Sequence, residues 1–88
     1  MALLRVRGPL RQLAGGCPDH EIDGGTVLQV LRGFERANPA AEGWILDERG
    51  RIRRHINVFV NGEQVGEATA VSAADHLDVL PAITGGSS

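Results

Sequence analysis

Apolar and polar positions alternate with a period of two in four runs along the chain, and recur with a helical period in one. Residues 2–7 predict a first strand with Leu4 and Val6 on one face. Gly8-Pro9 interrupts it, Leu10 and Leu13 continue the apolar supply, and Gly15-Gly16 makes a turn. Residues 19–23 predict a second short strand, with His20 and Ile22 on one face and Asp19, Glu21 and Asp23 on the other. Two strands this close in sequence predict an antiparallel hairpin. Thr26 then opens the one clear helix as its N-cap, and Gln29 completes a capping box. Val27, Val30, Leu31 and Phe34 form a single stripe, with Arg32, Glu35 and Arg36 off it. Gly33 costs this helix up to ~1 kcal/mol relative to alanine, which predicts a close neighbour there. Asn38-Pro39 stops the helix.

Residues 39–54 predict a long connection in which Trp44, Ile45 and Leu46 tuck back against the core and Asp47 to Gly50 make a charged turn. Residues 55–61 are the strongest strand, with Ile56, Val58 and Val60 facing one way and Asn57, Phe59 and Asn61 the other. Asn61-Gly62 is a tight-turn dipeptide, Glu63 to Val65 a short returning strand, and residues 66–75 a polar loop with little to bury. His76 to Leu80 predict the last strand. Pro81 ends ordinary sheet pairing because it has no N–H to give. Ala82, Ile83 and Thr84 run on as an extended arm, and Gly85-Gly86 form an unhindered tip.

A helix this short cannot bury its stripe alone, so it must lie across one face of the sheet. The predicted core is Leu4, Val6, Ile22, Val27, Val30, Leu31, Phe34, Val58, Val60, Val65, Leu77 and Val79. The fold class is α+β: a β-grasp with a mixed four- to five-stranded sheet and one main helix on one face. Residues 1–84 form the domain and residues 85–88 a flexible tail.

At 88 residues the chain carries one domain with one modest core. No apolar run approaches the ~20 residues of a membrane span, and charge interrupts the N-terminus too early for a signal peptide. A single cysteine makes no internal disulfide, which points to a reducing cytoplasm. The net charge of −2 gives no general pull toward nucleic acid or anionic membrane. All nine basic residues are arginine, so lysine-linked chains of this protein cannot be built.

The order hairpin, helix, strand resembles that of ubiquitin-like proteins. The ending Leu80-Pro81-Ala82-Ile83-Thr84-Gly85-Gly86 on a last strand is similar to that of the sulfur carriers of the ThiS/MoaD family. The run from Arg54 to Glu63, with a long loop before it, looks closest to the cysteine-pathway carriers of actinobacteria. The resemblance covers residues 1–86. It implies that an E1-like adenylyltransferase uses ATP to adenylate the terminal glycine carboxylate, and that sulfur displaces AMP to leave a thiocarboxylate. A sulfur-accepting synthase, cysteine synthase-like or other, then takes the sulfur. On this reading Gly85 and Gly86 are the thiocarboxylate site, since a β-carbon at the tip would crowd the reaction. The carrier is a protein substrate, not an enzyme, with no catalytic residue, bound cofactor or metal of its own. Two other classes stay open: a protein modifier attached through Gly86, or a MoaD-like subunit of molybdopterin synthase; a third reading is an interaction domain with an inert tail.

Ser87-Ser88 depart from the pattern, because they hold the Gly86 carbonyl in a peptide bond. If they belong to the native chain, the resemblance implies trimming by a JAMM-type metalloprotease. If they are an appended linker, the working tip is already Gly86.

Other residues carry two readings. Arg51, Arg53 and Arg54 around Ile52 are a solvated basic rim or a docking patch for an acidic partner; with no aromatics interleaved they are not a nucleic-acid surface. Cys17 with His20 is half a zinc site at most, since His55 and His76 are remote in sequence. Phe59 and Leu80, both outward by alternation, are expected to form an apolar partner interface, continued by Pro81, Ile83 and Thr84.

Overall fold

The structure, a computed structural model, describes residues 2–81. The expectations for the arm and tip (Ala82, Ile83, Thr84, Gly85, Gly86, Ser87 and Ser88) lie outside the described residues. β1 (Ala2–Val6) and β2 (Asp19–Ile22) form the antiparallel hairpin, in register from Ala2↔Ile22 to Arg5↔Asp19. Their connection is not a plain turn. Gly8 turns the chain at φ 63°, and Pro9 starts a short helix, α1 (Pro9–Leu13), at the position where a missing N–H costs nothing. α1 exists to bury Leu10, which has no exposed surface.

The main helix α2 (Val27–Ala37) starts and stops where its caps predict. Thr26 Oγ1 accepts from Gln29 N–H at 3.2 Å, while Gln29 Oε1 accepts from Gly25 N–H at 2.7 Å. Its stripe, Val27, Val30, Leu31 and Phe34, is fully buried. Gly33 lets the helix approach β2 closely: a Cβ there would meet Ile22 Cγ2 at 2.6 Å. The loop 66–75, expected to bury little, closes over the start of α2. Thr69 and Glu67 carbonyls accept from the N–H groups of Val27 and Leu28, and Val71 and Val65 pack against the core. These bonds satisfy first-turn donors that have no partner within the helix.

Glu35 overturns its expected place off the stripe. It is buried, and its Oε2 accepts from the N–H groups of both Ile45 and Leu46 at 3.1 Å. The physical reason is that the connection after α2, through a 3-10 turn at Pro39–Ala41, folds over the helix and must find acceptors for its buried amides. Ile45 and Leu46 are buried as expected, but Trp44 is 44% exposed. A tight turn follows, in which Asp47 Oδ1 accepts from the N–H groups of Arg51 and Arg49.

β3 (Ile56–Val60), β4 (Glu63–Gln64) and β5 (His76–Pro81) complete a five-stranded sheet in the order β2-β1-β5-β3-β4. The β3–β4 turn has φ 51° at Asn61 and φ 90° at Gly62, the left-handed pair of a two-residue hairpin. β5 runs parallel to β1 and antiparallel to β3. Pro81 does not stop short of the pairing but takes part in it, opposite Ile56, as the last described residue. β1 stops at Val6, the partner of Val79, so Pro81 has one strand beside it and its missing N–H is tolerated. Ile22, Val60 and Val65, expected in the core, are only partly buried at its margin, while Ala2, Leu10, Ala14, Ala41, Ile45, Leu46 and Ile56 join it.

Replacing Glu35 by alanine leaves two buried amides without an acceptor. Glu35→Ala is expected to lower unfolding free energy by about 1–3 kcal/mol in urea titrations, with faster hydrogen exchange at Ile45 and Leu46. A loss within experimental error would show that water replaces the carboxylate.

Two turn carboxylates set an acid limit. Asp47 is held below the usual carboxylate range by the N–H of Arg51 and then that of Arg49, and Asp75 by the N–H of Ser72 and then the Asn61 side chain. Depressed folded values mean their stabilisation is present above the unfolded carboxylate pKa of ~4 and is lost as pH falls through the folded values. The double variant Asp47→Asn/Asp75→Asn is therefore expected to flatten the decline of the unfolding midpoint below about pH 4. An unchanged slope would contradict this.

Candidate functional site

The sheet has two unlike faces. Inward residues of β1, β3 and β5 meet α2; outward residues form cross-strand rows. One row reads Asp19, Arg5, Asp78, Phe59, Gln64 from edge to edge. Arg5 Nε donates to Asp19 Oδ1 at 2.9 Å, and both side chains are about half exposed. The next row places Leu80 opposite Asn57. Phe59 and Leu80 are thus diagonal neighbours on adjacent strands, a spacing of roughly 7–8 Å that an aromatic ring can bridge.

The register sets Phe59 and Leu80 diagonally across β3 and β5 on the outer face, while Pro81 alternates to the inner face, opposite buried Ile56. Phe59 and Leu80 are half-buried, however, and Asp78 and Asn57 stand between them, so the apolar patch is smaller than alternation suggested. Gln64 Nε2 donates to Asn57 Oδ1 at 3.0 Å beside it. Pro81 marks the root of the arm. It lies opposite Ile56 on one side, and on the other a Cβ on Gly8 would stand 3.9 Å from its Cγ.

His20 lies on the inner face rather than beside Cys17's thiol. Its Nε2 is 2.9 Å from the Cys17 carbonyl oxygen, and its ring meets Phe34 edge-on at 5.1 Å. Cys17 is a free, exposed thiol, and no group of three or more His, Cys, Asp or Glu among the described residues is disposed to hold a metal ion. No described helix is long and apolar enough to cross a membrane.

A last strand delivered through the middle of the sheet, against one helix and an outer face with a small apolar patch, is the arrangement of ubiquitin-like carriers. The sequence profile of the ThiS family matches residues 4–86. The chain belongs to the ThiS family.

This ThiS-family chain is 31% identical over 83 residues to sulfur carrier protein CysO of Mycobacterium tuberculosis, covering 88% of the chain and 89% of that protein. It is 36% identical over 67 residues to small archaeal modifier protein 1 of Haloferax volcanii, covering 75% and 77%. A chain in the crystal structure of the Amycolatopsis orientalis BexX/CysO complex superposes with a TM-score of 0.87 at 30% identity, covering 97% of this chain and 99% of that one. The β-grasp assignment and the ThiS/MoaD-like character read from the sequence therefore hold.

Sequence reasoning did not find the cleft beside the arm root. It is lined by Arg5, Val6, Arg7, Gly8, Arg11, Pro18 and Asp19. The available signal was Gly8-Pro9, which places a helix start, and so Arg11, next to the end of β1.

The outer-face pair yields a mutational expectation. Phe59→Asp would set a carboxylate opposite Asp78, a like-charge pair that itself destabilises the sheet, so Phe59→Ser is the cleaner probe. Phe59→Ser and Leu80→Asp are each expected to weaken binding to an E1-like activating enzyme at least about tenfold, the loss of one well-packed apolar contact. The circular dichroism spectrum should stay unchanged. Undiminished binding in both variants would remove the patch from the interface.

Proposed function

We propose that this chain is a sulfur carrier whose C-terminal Gly86, once Ser87 and Ser88 are absent, is converted to a thiocarboxylate by an E1-like enzyme. The observation that carries the reading is the placement of the arm root. β5 is held on both sides in the centre of the sheet and ends at Pro81, so the chain beyond it departs from a fixed point of the body. Similarity to CysO over 88% of the chain supports the same role.

The steps balance without help from the carrier's own side chains. A Gly86 carboxylate oxygen attacks the α-phosphate of ATP and pyrophosphate leaves. Sulfide then attacks the acyl carbon and AMP leaves, giving the thiocarboxylate; where a persulfide on the enzyme attacks instead, AMP leaves an acyl disulfide, and a second enzyme thiol cleaves its S–S bond to release the thiocarboxylate and form an enzyme disulfide. A sulfur-accepting synthase, cysteine synthase-like or other, receives the sulfur. ATP belongs to the activating enzyme, and the carrier itself binds no cofactor. A JAMM-type metalloprotease is the class that would free Gly86 from Ser87-Ser88. The setting is cytoplasmic.

A second reading, a modifier joined through Gly86 to amines of other proteins, is favoured by the 36% identity to small archaeal modifier protein 1. The absence of lysine limits it to single attachments or to chains through the N-terminal amine.

Truncation at Gly86 separates these. Given ATP, sulfide and the E1-like enzyme of its own organism, the truncated chain is expected to show one oxygen exchanged for sulfur by intact-mass spectrometry. The 88-residue chain should show none, and truncated Gly86→Ala should react more slowly by about tenfold or more. Recovery of the truncated chain as amides on other proteins would favour the modifier. Equal reaction of the full-length chain, without proteolysis, would contradict the assigned chemistry.

A further inference from the structure

Charge is unevenly distributed along the axis of β5. Arg7 follows the last residue of β1, and Arg11 projects from α1 into the same cleft, whose wall at Gly8 reaches Pro81. Arg54 lies on the other side, in the turn that leads into Ile56, the partner of Pro81. All three side chains are exposed, and none makes an ion pair among the described residues; Arg11 Nε donates only to the Gly16 carbonyl. Of the neighbouring charges, Arg5 is paired with Asp19, which also lines the cleft, and Arg53 Nε donates to the Gly43 carbonyl. At the opposite end of the sheet the register places acids: Glu63 beside Val60, and Asp75 just before His76. A chain of net charge −2 thus presents three cations around Pro81 that form no ion pair among the described residues.

We infer that Arg7, Arg11 and Arg54 form a basic collar that docks on a carboxylate-lined rim around the opening into which the arm is inserted. The inference rests on the proposed arm-insertion reading and adds the chemistry of the partner's surface. Its geometry is constrained. The five residues from Ala82 to Gly86 span at most about 17 Å when extended, so a partner whose channel encloses the whole arm brings its surface to the level of Pro81. Charges at the root then face that surface within a screening length, roughly 8–10 Å at ordinary salt. Opposite charge there raises the encounter rate and fixes orientation more than it adds affinity. An enzyme lined with cations would instead be repelled by this end of the carrier, which gives selectivity among activating enzymes.

The test uses the chain ending at Gly86 and the E1-like enzyme of its own organism. Arg7→Gln/Arg54→Gln removes two charges at the root. Ala73→Glu/Ala74→Glu changes net charge by the same amount at exposed positions of the far end. Association rates by stopped flow are expected to fall about tenfold for the arginine variant and to become less sensitive to added salt. The far-end variant should stay within about twofold of the parent, and Arg7→Lys/Arg54→Lys should restore most of the rate. At saturating carrier, the rate of thiocarboxylate formation should be unchanged in all of them. Equal slowing by both neutral and far-end variants would overturn the collar in favour of net charge alone, and no slowing in either would overturn it outright. If the parent chain binds and reacts while the collar variant is indistinguishable from it, the sulfur-carrier reading survives without the collar. If the parent chain does not bind at all, the arm-insertion reading fails and the collar with it.

Discussion

Everything in this fold depends on where the last strand sits. β5 is inserted between the first strand, which it meets in parallel, and β3, which it meets antiparallel. Parallel pairing of a first and a last strand requires a crossover connection, and α2 with its flanking segments supplies it. The same insertion puts Leu77 and Val79 at the centre of the apolar layer, with no exposed surface. β5 therefore lies in the interior of the sheet rather than at its edge. As far as Val79 the strand is held by two ladders of main-chain hydrogen bonds, and at Leu80 and Pro81 by the pairing with β3 alone.

The helix is held from three sides by means that differ in kind. Its stripe packs on the sheet, the loop 66–75 presents carbonyls to its first turn, and Glu35 reaches two amides of the connection beyond its end. A buried carboxylate is costly to desolvate unless it is hydrogen-bonded. Here two hydrogen bonds offset that cost and fasten Ile45 and Leu46 into the core. The long connection, irregular in outline, is thereby as much a part of the packed body as the strands.

Much of the fold was legible because local signals agreed with the final arrangement. Alternation marked β1, β2, β3 and β5, Thr26 and Asn38-Pro39 bounded α2, and Asn61-Gly62 marked the hairpin. Gly33 announced the close contact with Ile22. Most of the failures share a cause: residues whose roles depend on segments distant in sequence. Glu35 looked solvent-facing because helical periodicity knows nothing of the connection folding over it. Pro81 looked like a terminator because its sequence does not reveal that β1 has already ended beside it. α1 was hidden by its brevity, too few turns to show a period. The apolar pair Phe59 and Leu80 was placed on the right face, but the intervening Asp78 and Asn57 shrink it, and the arginines at the arm root were scattered in sequence until the strand order gathered them.

The central claim is that the arm is anchored in the most stable part of the sheet, and native-state hydrogen exchange tests it most directly. The amides of Leu77 and Val79 should exchange only through global unfolding, with the same free energy and denaturant dependence as the whole chain, while those of β4 at the edge exchange through smaller openings. Exchange of the β5 amides through local opening, at a free energy well below that of global unfolding, would contradict the account.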